Sequence, residues 1–418
     1  MTQRSRLGRL VARLTGGAQL DRLAAVDEKV AKFGRAHRED LAGHRHQLEQ
    51  VLDRLSTRAG VDAVRALERR VEDLQASLAQ QDRTLSNALE RARLFDEQAV
   101  DDRRFARRME ALRRDGRPII VGPWTGEVGF ELLYWVPFVR WTIARYGIDP
   151  TRLTVVSRGG VASWYGPLAA RYVDVFSMFS TGEFRAATEE AKKQRRVGAF
   201  DAGIVTRLRE RPGLKEAELL HPGLMYRLFQ PFWRELATAA RVEAYSDYGR
   251  LESAATPELA DLPGEYVAAR FYFSDCFPDT PSNRAFVTSM IDAISGHTPV
   301  VLLNAPFSVD DHRDFTAAGG RVIAIADRMT PENNLGLQTA VIARARAFIG
   351  TYGGYSYLAP FHGVSALAFY SERTFKPHHL HLAQRVFDRL GGAGVLALDV
   401  GQLPLVQLAT AGASVSTR

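Results

Sequence analysis

Between Val64 and Phe95 the apolar residues recur at alternating steps of three and four: Val64, Leu67, Val71, Leu74, Leu78, Leu85, Ala88, Ala92 and Phe95, with Gln81 on the same seam. This is the a/d pattern of a coiled coil over more than four heptads, and a polar residue on the seam is a device for fixing register. Upstream, Leu41, Leu48, Leu52 and Leu55 follow the spacing in another phase, with Gly60 near the slip. From Leu7 to Arg114 the chain has no proline, and Gly16, Gly17, Gly43 and Gly60 are among its few glycines. Long helices follow. Such a stripe either joins copies of the chain into a homo-oligomer or packs back on the rest of the molecule.

The period changes after Asp115-Gly116. Short apolar runs predict strands at Pro118 to Val121, Leu153 to Ser157, Tyr172 to Phe176 and Ala202 to Thr206. Helical patterns are expected at Phe130 to Tyr146 and Pro222 to Ala240. A polar stretch follows, and the theme then repeats: strands at Tyr266 to Phe271, Val300 to Asn304, Arg321 to Ala326, Ala347 to Gly350, Ala366 to Tyr370 and Val395 to Leu398, among helices at Asn283 to Ile294, Leu335 to Arg346, Tyr355 to His362 and His381 to Leu390. Strands alternating with helices predict mainly parallel sheets. The expected organisation is a helical coiled-coil stalk (1–115), a first α/β lobe (116–245), a linker (246–264), a second α/β lobe (265–403) and a flexible tail (404–418). Two such lobes create a cleft between the carboxyl ends of their strands, where open α/β sheets bind ligands.

Composition adds constraints. With 418 residues, 46% hydrophobic and 25% charged, the chain is long enough for two cores. Of the net charge of +7, about +5 belongs to residues 1–116, which hold 24 Lys+Arg against 19 Asp+Glu. The body is therefore nearly neutral, which argues against nucleic acid as a partner. Leu7, Leu10, Val11 and Leu14 lie on one helical face among arginines, with no acid before Asp21. That pattern suits either peripheral contact with a membrane surface or a solvated helix start. Arg4, Arg6, Arg9 and Arg13 interrupt every apolar run, so neither a signal-peptide core nor a spanning helix is predicted, and a cytoplasmic protein is expected. The single cysteine, Cys276, excludes internal disulfides.

Three segments carry candidate chemistry. In FIGTYGGYSYLAPFHG (Phe348 to Gly363) a strand ends at Gly350, and Gly353 and Gly354 precede a helix, with hydroxyls on Thr351, Tyr355 and Ser356. Glycines admit a phosphate close to the backbone, and the N-terminal N–H groups of a helix favour its charge. In VGPWTGEVGFELLYWVPFVRW (Val121 to Trp141) a strand enters a loop with Gly122, Gly126 and Gly129, then a helix. In VAARFYFSDCFPDT (Val267 to Thr280) Arg270 sits near a strand's carboxyl end, followed by Ser274 and Asp275. His378, His379 and His381, or Asp310, Asp311 and His312, make weak metal candidates, and no metal or other cofactor is expected.

The first segment resembles the donor-binding element of glycosyltransferases of the GT-B fold, in which a glycine and hydroxyl turn leads into a short helix reading L-A-x-x-x-G, here YLAPFHG. The resemblance, to enzymes such as bacterial heptosyltransferases and O-fucosyltransferase-like proteins, covers Arg117 to Leu403. It implies two Rossmann-like lobes and a nucleotide-diphosphate sugar as donor substrate. It further implies that Arg270 and the turn at Thr351, Gly353, Gly354, Tyr355 and Ser356 hold the diphosphate, although the histidine that usually precedes the arginine is absent. Ser274, Asn304, Asp327, Asn334 and Gln338 are expected on the donor side, and Trp124, Gly126 and Arg158 on the acceptor side. Glu127 or Glu131 would act as base toward a hydroxyl on a glycan, lipid-linked sugar or protein, or else be a helix-start carboxylate. A polysaccharide pyruvyl transferase-like enzyme and a non-catalytic coiled-coil scaffold are the alternatives.

Overall fold

The computed structural model describes residues 39, 42–51, 53, 61–190, 194–253, 256–307, 313–315 and 321–403. The expectations for Leu7 to Leu14, Leu41, Leu52, Leu55, Asp310 to His312 and 404–418 lie outside them.

The chain divides into two compact units, Met1–Asp101 and Asp102–Arg418. In the first, the heptad stripe lies on a long helix, α1 (Val61–Asp115), where Leu74 is 48% exposed. The second unit begins before the expected boundary at Gly116. Phe105, Met109 and Leu112, spaced four and three apart on the end of α1, are buried in its core. Phe105 packs 5.5 Å from Phe138, and Asp102 accepts two hydrogen bonds from Arg241.

Among the described residues the first lobe is a parallel sheet in the order β3-β2-β1-β4, comprising β1 (Ile119–Val121), β2 (Leu153–Ser157), β3 (Tyr172–Asp174) and β4 (Glu218–Leu220). Its longer helices are α2 (Val136–Tyr146), α3 (Thr181–Glu190), α4 (Ala199–Arg209) and α5 (Gly223–Trp233). The strand expected at Ala202 to Thr206 is α4 instead. Ile204, Val205 and Leu208 bury one face of an eleven-residue helix whose Asp201 accepts from the Gly198 N–H at 3.1 Å. The strand position is taken by three residues, Glu218 to Leu220, too short to show a period.

The second lobe is a parallel sheet in the order β12-β11-β10-β5-β7-β9. Its strands are β5 (Val267–Arg270), β7 (Val300–Leu302), β9 (Val322–Ala324), β10 (Ala347–Thr351), β11 (Ala366–Tyr370) and β12 (Val395–Asp399). The short pair β6 (Tyr272–Phe273) and β8 (Arg313–Asp314) stands apart from it. Its longer helices are α6 (Pro281–Ser295), α7 (Asn334–Arg344), α8 (Gly354–Phe361) and α9 (Pro377–Leu390). Counted within the lobe, the strand order is 3-2-1-4-5-6, the doubly wound Rossmann arrangement, with its switch point between β5 and β10. The first lobe follows the same order as far as it goes, 3-2-1-4, with its switch point between β1 and β4.

Candidate active site between the lobes

The second lobe's switch point is framed by the ends of β5 and β10. These strands approach closely because residue 350 is glycine: a Cβ there would stand 2.1 Å from the Arg270 carbonyl oxygen. Arg270, 8% exposed, projects from the end of β5. It donates to the Gln338 amide oxygen and to the Leu303 carbonyl at 3.4 Å, and its guanidinium lies 4.1 Å from the Tyr355 ring centroid. A planar cation stacked and hydrogen-bonded in this way is fixed in orientation before any ligand arrives. Gly353, Gly354 and Tyr355, at the start of α8, line the same cleft.

Two hydroxyls of the turn are placed otherwise than expected. Thr351 and Ser356 are fully buried. The Thr351 hydroxyl accepts from the Tyr272 N–H (3.0 Å) and donates to the Tyr272 carbonyl (2.7 Å), while Ser356 donates to the Gly353 carbonyl (2.6 Å). Both shape the turn, and neither lines the cleft.

Across the cleft stands the loop after β1. Gly122 adopts φ +116°, and a Cβ there would fall 2.4 Å from the Val156 carbonyl oxygen, so the loop turns tightly over β2. Gly126 and Glu127 line the cleft, and Glu127 is exposed there at the entry to the helical run. Gly129 meets Gly354 of the opposite lobe backbone to backbone: a Cβ on Gly354 would lie 2.6 Å from the Gly129 nitrogen. The two glycine-rich segments thus touch at their tips.

Glu131 does not reach the cleft. The helix expected from Phe130 passes through a π-helical segment, Glu131–Trp135, whose five side chains are all buried. The Glu131 carboxylate, 0% exposed, accepts from Ser157 Oγ (2.5 Å), Tyr165 OH (2.7 Å) and Arg158 Nη1 (3.1 Å). Burial pushes its carboxyl above the usual range, opposed by Arg158 and the two hydroxyls. Arg158, which does line the cleft, also donates to the Gly126 carbonyl. Glu131 therefore orients Arg158 and through it the loop that carries Glu127. Trp124 is likewise a core residue, stacked between Trp135 (6.0 Å) and Tyr226 (6.4 Å), because the tight turn folds it back under the sheet.

The remaining donor-side residues divide. Ser274 and Asn334 line the cleft, whereas Asp327 is exposed in the short helix Ala326–Arg328 and does not. Asn304, just beyond β7 and next to the lining residue Ala305, is 8% exposed, and neither its amide oxygen nor its nitrogen has a partner among the described residues. Gln338 accepts from Arg270, while its amide nitrogen is likewise unspent. Gln338 is fully buried and, like Asn304, is not among the residues that line the cleft.

The cleft has a volume of about 630 Å³ and draws its walls from both lobes. Tyr134, Tyr272, Tyr352, Phe375 and Lys376 line it as well, and no sequence motif marks them. His379, read as part of a weak metal cluster, lines the cleft instead and bonds Tyr134 OH through Nδ1 at 2.5 Å, tying the lobes together. His378 lies 3.6 Å from Glu235. Among the described residues no group of three or more His, Cys, Asp and Glu side chains stands together as a metal site, and no helix is long and apolar enough to cross a membrane. Behind the loop, Gln194 donates to the Pro123 carbonyl (2.8 Å) and to Asp201 (2.9 Å), and Asp201 in turn faces His221 Nε2 at 3.1 Å. Since His221 Nδ1 accepts from the Gly223 N–H, its proton sits on Nε2, directed at Asp201. These residues lie far apart in sequence, and no local signal marks them.

No protein-family model and no curated protein matches the chain. Similar solved structures include a glycosyl transferase family 9 protein from Veillonella parvula, 15% identical over 72% of this chain and 91% of that one, with a TM-score of 0.40. The E. coli heptosyltransferase WaaC with ADP is 14% identical over 68% and 93%, with a TM-score of 0.36. The E. coli ADP-heptose lps heptosyltransferase II is 12% identical over 68% and 90%, with a TM-score of 0.36. At these identities and scores the likeness assigns no activity, which has to be read from the site.

Proposed function

We propose that the protein is a glycosyltransferase that moves a sugar from a nucleotide-diphosphate donor to a hydroxyl of a glycan, lipid-linked sugar or protein. The observation that carries this reading is the pairing of Arg270 with the glycine-led start of α8 at the switch point of a Rossmann-ordered lobe, facing Glu127 across a two-lobed cleft. In this reading the acceptor oxygen attacks the anomeric carbon as the bond from that carbon to the diphosphate oxygen breaks. The departing diphosphate gains charge, which the guanidinium and the first-turn N–H groups of α8 stabilise. Glu127, in the cleft and exposed, takes the acceptor proton. Gln338 holds Arg270 in place, Asn304 beside the lining residue Ala305 faces the nucleoside side, and Arg158, held by Glu131, borders the acceptor side. The heptad stripe of α1 is assigned to self-association.

A panel of nucleotide sugars and phosphoenolpyruvate, scored for nucleoside diphosphate or phosphate release, tests the reading. Arg270→Ala should lower kcat/KM about 10²- to 10³-fold, the usual effect of removing one preorganised charge-stabilising donor. Glu127→Gln should lower kcat about 10²- to 10⁴-fold. Turnover of phosphoenolpyruvate alone, or wild-type rates in Arg270→Ala, would sink it.

A further inference from the structure

The cleft has a smaller neighbour. Phe130, Lys376 and His379 border both, and beyond them lies a recess of about 210 Å³ whose other walls are Arg195, Tyr226, Arg227, Gln230, Trp233 and Arg234. Arg227, Gln230 and Arg234 follow at i, i+3 and i+7 along α5 and its C-cap, and so share one helical face. Lys376 closes the recess from the second lobe, its Nζ 3.4 Å from the Trp233 carbonyl oxygen.

Among the described residues the lining brings together four cationic side chains, Arg195, Arg227, Arg234 and Lys376, and no Asp or Glu. Several other arginines of this unit sit against carboxylates, Arg385 and Arg389 on Glu243, Arg328 on Asp261 and Arg284 on Asp279. Like charges gathered in a concave site raise the local potential, which an anion relieves. The floor is aromatic, with Tyr226 and Trp233 rings 5.0 Å apart and Phe130 5.5 Å from Trp233, an apolar surface on which a sugar ring can lie. Glu127 lines the larger cleft, which shares Phe130, Lys376 and His379 with the recess.

We propose that this recess binds an anionic substituent, phosphate or carboxylate, carried by the sugar acceptor. The proposal rests on the transferase reading and adds the acceptor's chemistry: cations clamp the charged group, the aromatic floor holds the ring, and the hydroxyl to be glycosylated is delivered over Glu127.

Calorimetric titration of the full-length protein with glucose 6-phosphate, glucuronate and glucose tests it, and the first two probes separate phosphate from carboxylate. Saturable binding of at least one anionic sugar, no saturable binding of glucose, and weakening by added salt are expected. Arg227→Glu with Arg234→Glu should weaken the anionic sugar at least about tenfold. The milder Arg227→Ala with Arg234→Ala serves if the reversal fails to fold. Equal affinities for glucose and the anionic sugars, or anion binding unchanged in both double variants, overturns the proposal. Titration with ADP, UDP and GDP on the same samples reports the larger cleft separately. Anion binding that depends on Arg227 and Arg234 in a protein that takes up no nucleoside diphosphate overturns the transferase reading, and with it the acceptor assignment.

Discussion

Removing the Glu131 carboxylate separates a positioning role from a catalytic one. The group is 0% exposed, takes three hydrogen bonds from side chains, and is the ion-pair partner of Arg158, whose own side chain is 9% exposed. Breaking a buried pair by deleting one member leaves the other charge uncompensated, at a cost of about 3 to 5 kcal/mol. Ser157 and Tyr165 would lose their acceptor as well. Glu131→Ala should therefore lose stability in that range by urea denaturation, with an unchanged m-value. Because Arg158 also holds the Gly126 carbonyl, the loop bearing Glu127 should loosen and KM for the acceptor should rise. Arg158→Ala combined with Glu131→Ala should cost less than the sum of the single losses, with a coupling of about 2 kcal/mol or more. A Glu131→Ala protein within about 1 kcal/mol of wild type would refute the buried pair as a structural element. Full stability with abolished turnover in Glu131→Gln would restore Glu131 as the base.

Other substitutions probe the lobe contact, a buried carboxyl and the stalk. Gly354→Ala places a Cβ 2.6 Å from the Gly129 nitrogen and 3.0 Å from Val128 Cβ, and should destabilise by about 1 to 3 kcal/mol, whereas Gly203→Ala, with nothing within 4 Å, should be neutral or stabilising. Equal melting temperatures for the two variants would contradict the contact. Burial pushes the Asp174 carboxyl up from 3.8 to about 6, so between those pH values the folded protein keeps a proton that the unfolded chain has released. Its contribution to stability therefore falls as pH rises through that window. Relative to Asp174→Asn, wild type should lose stability from pH 4 to pH 6, and parallel denaturation curves would exclude this. Leu74→Asp, on the exposed stripe of α1, should lower the molar mass seen by light scattering while leaving the melting of the body unchanged; an unchanged mass refutes the stripe as an oligomer seam.

The alternation of apolar runs and helical stripes was enough to predict parallel α/β lobes, because burial on both faces of a strand or one face of a helix is written locally in the period. It also located the glycine turn at Gly353-Gly354 and the arginine at the end of β5, since a strand end followed by a glycine and helix start is itself a local pattern. Ala202 to Thr206 fits either period, being five apolar-rich residues, and only the packing of Ile204, Val205 and Leu208 on one face decides for a helix. Sequence likewise marked Thr351, Ser356, Glu131 and Trp124 as polar or aromatic residues beside a ligand loop, with no means of telling which way they face. Tertiary structure turned all four inward: two hydroxyls complete the backbone bonding of the turn, a carboxylate neutralises Arg158, and an indole fills the core. The strand order that sets the switch point, the meeting of Gly129 with Gly354, and the cations gathered from Arg195, the face of α5 and Lys376 are decided there too. Each depends on bringing together residues far apart in the chain, and no local period records which distant segments will meet.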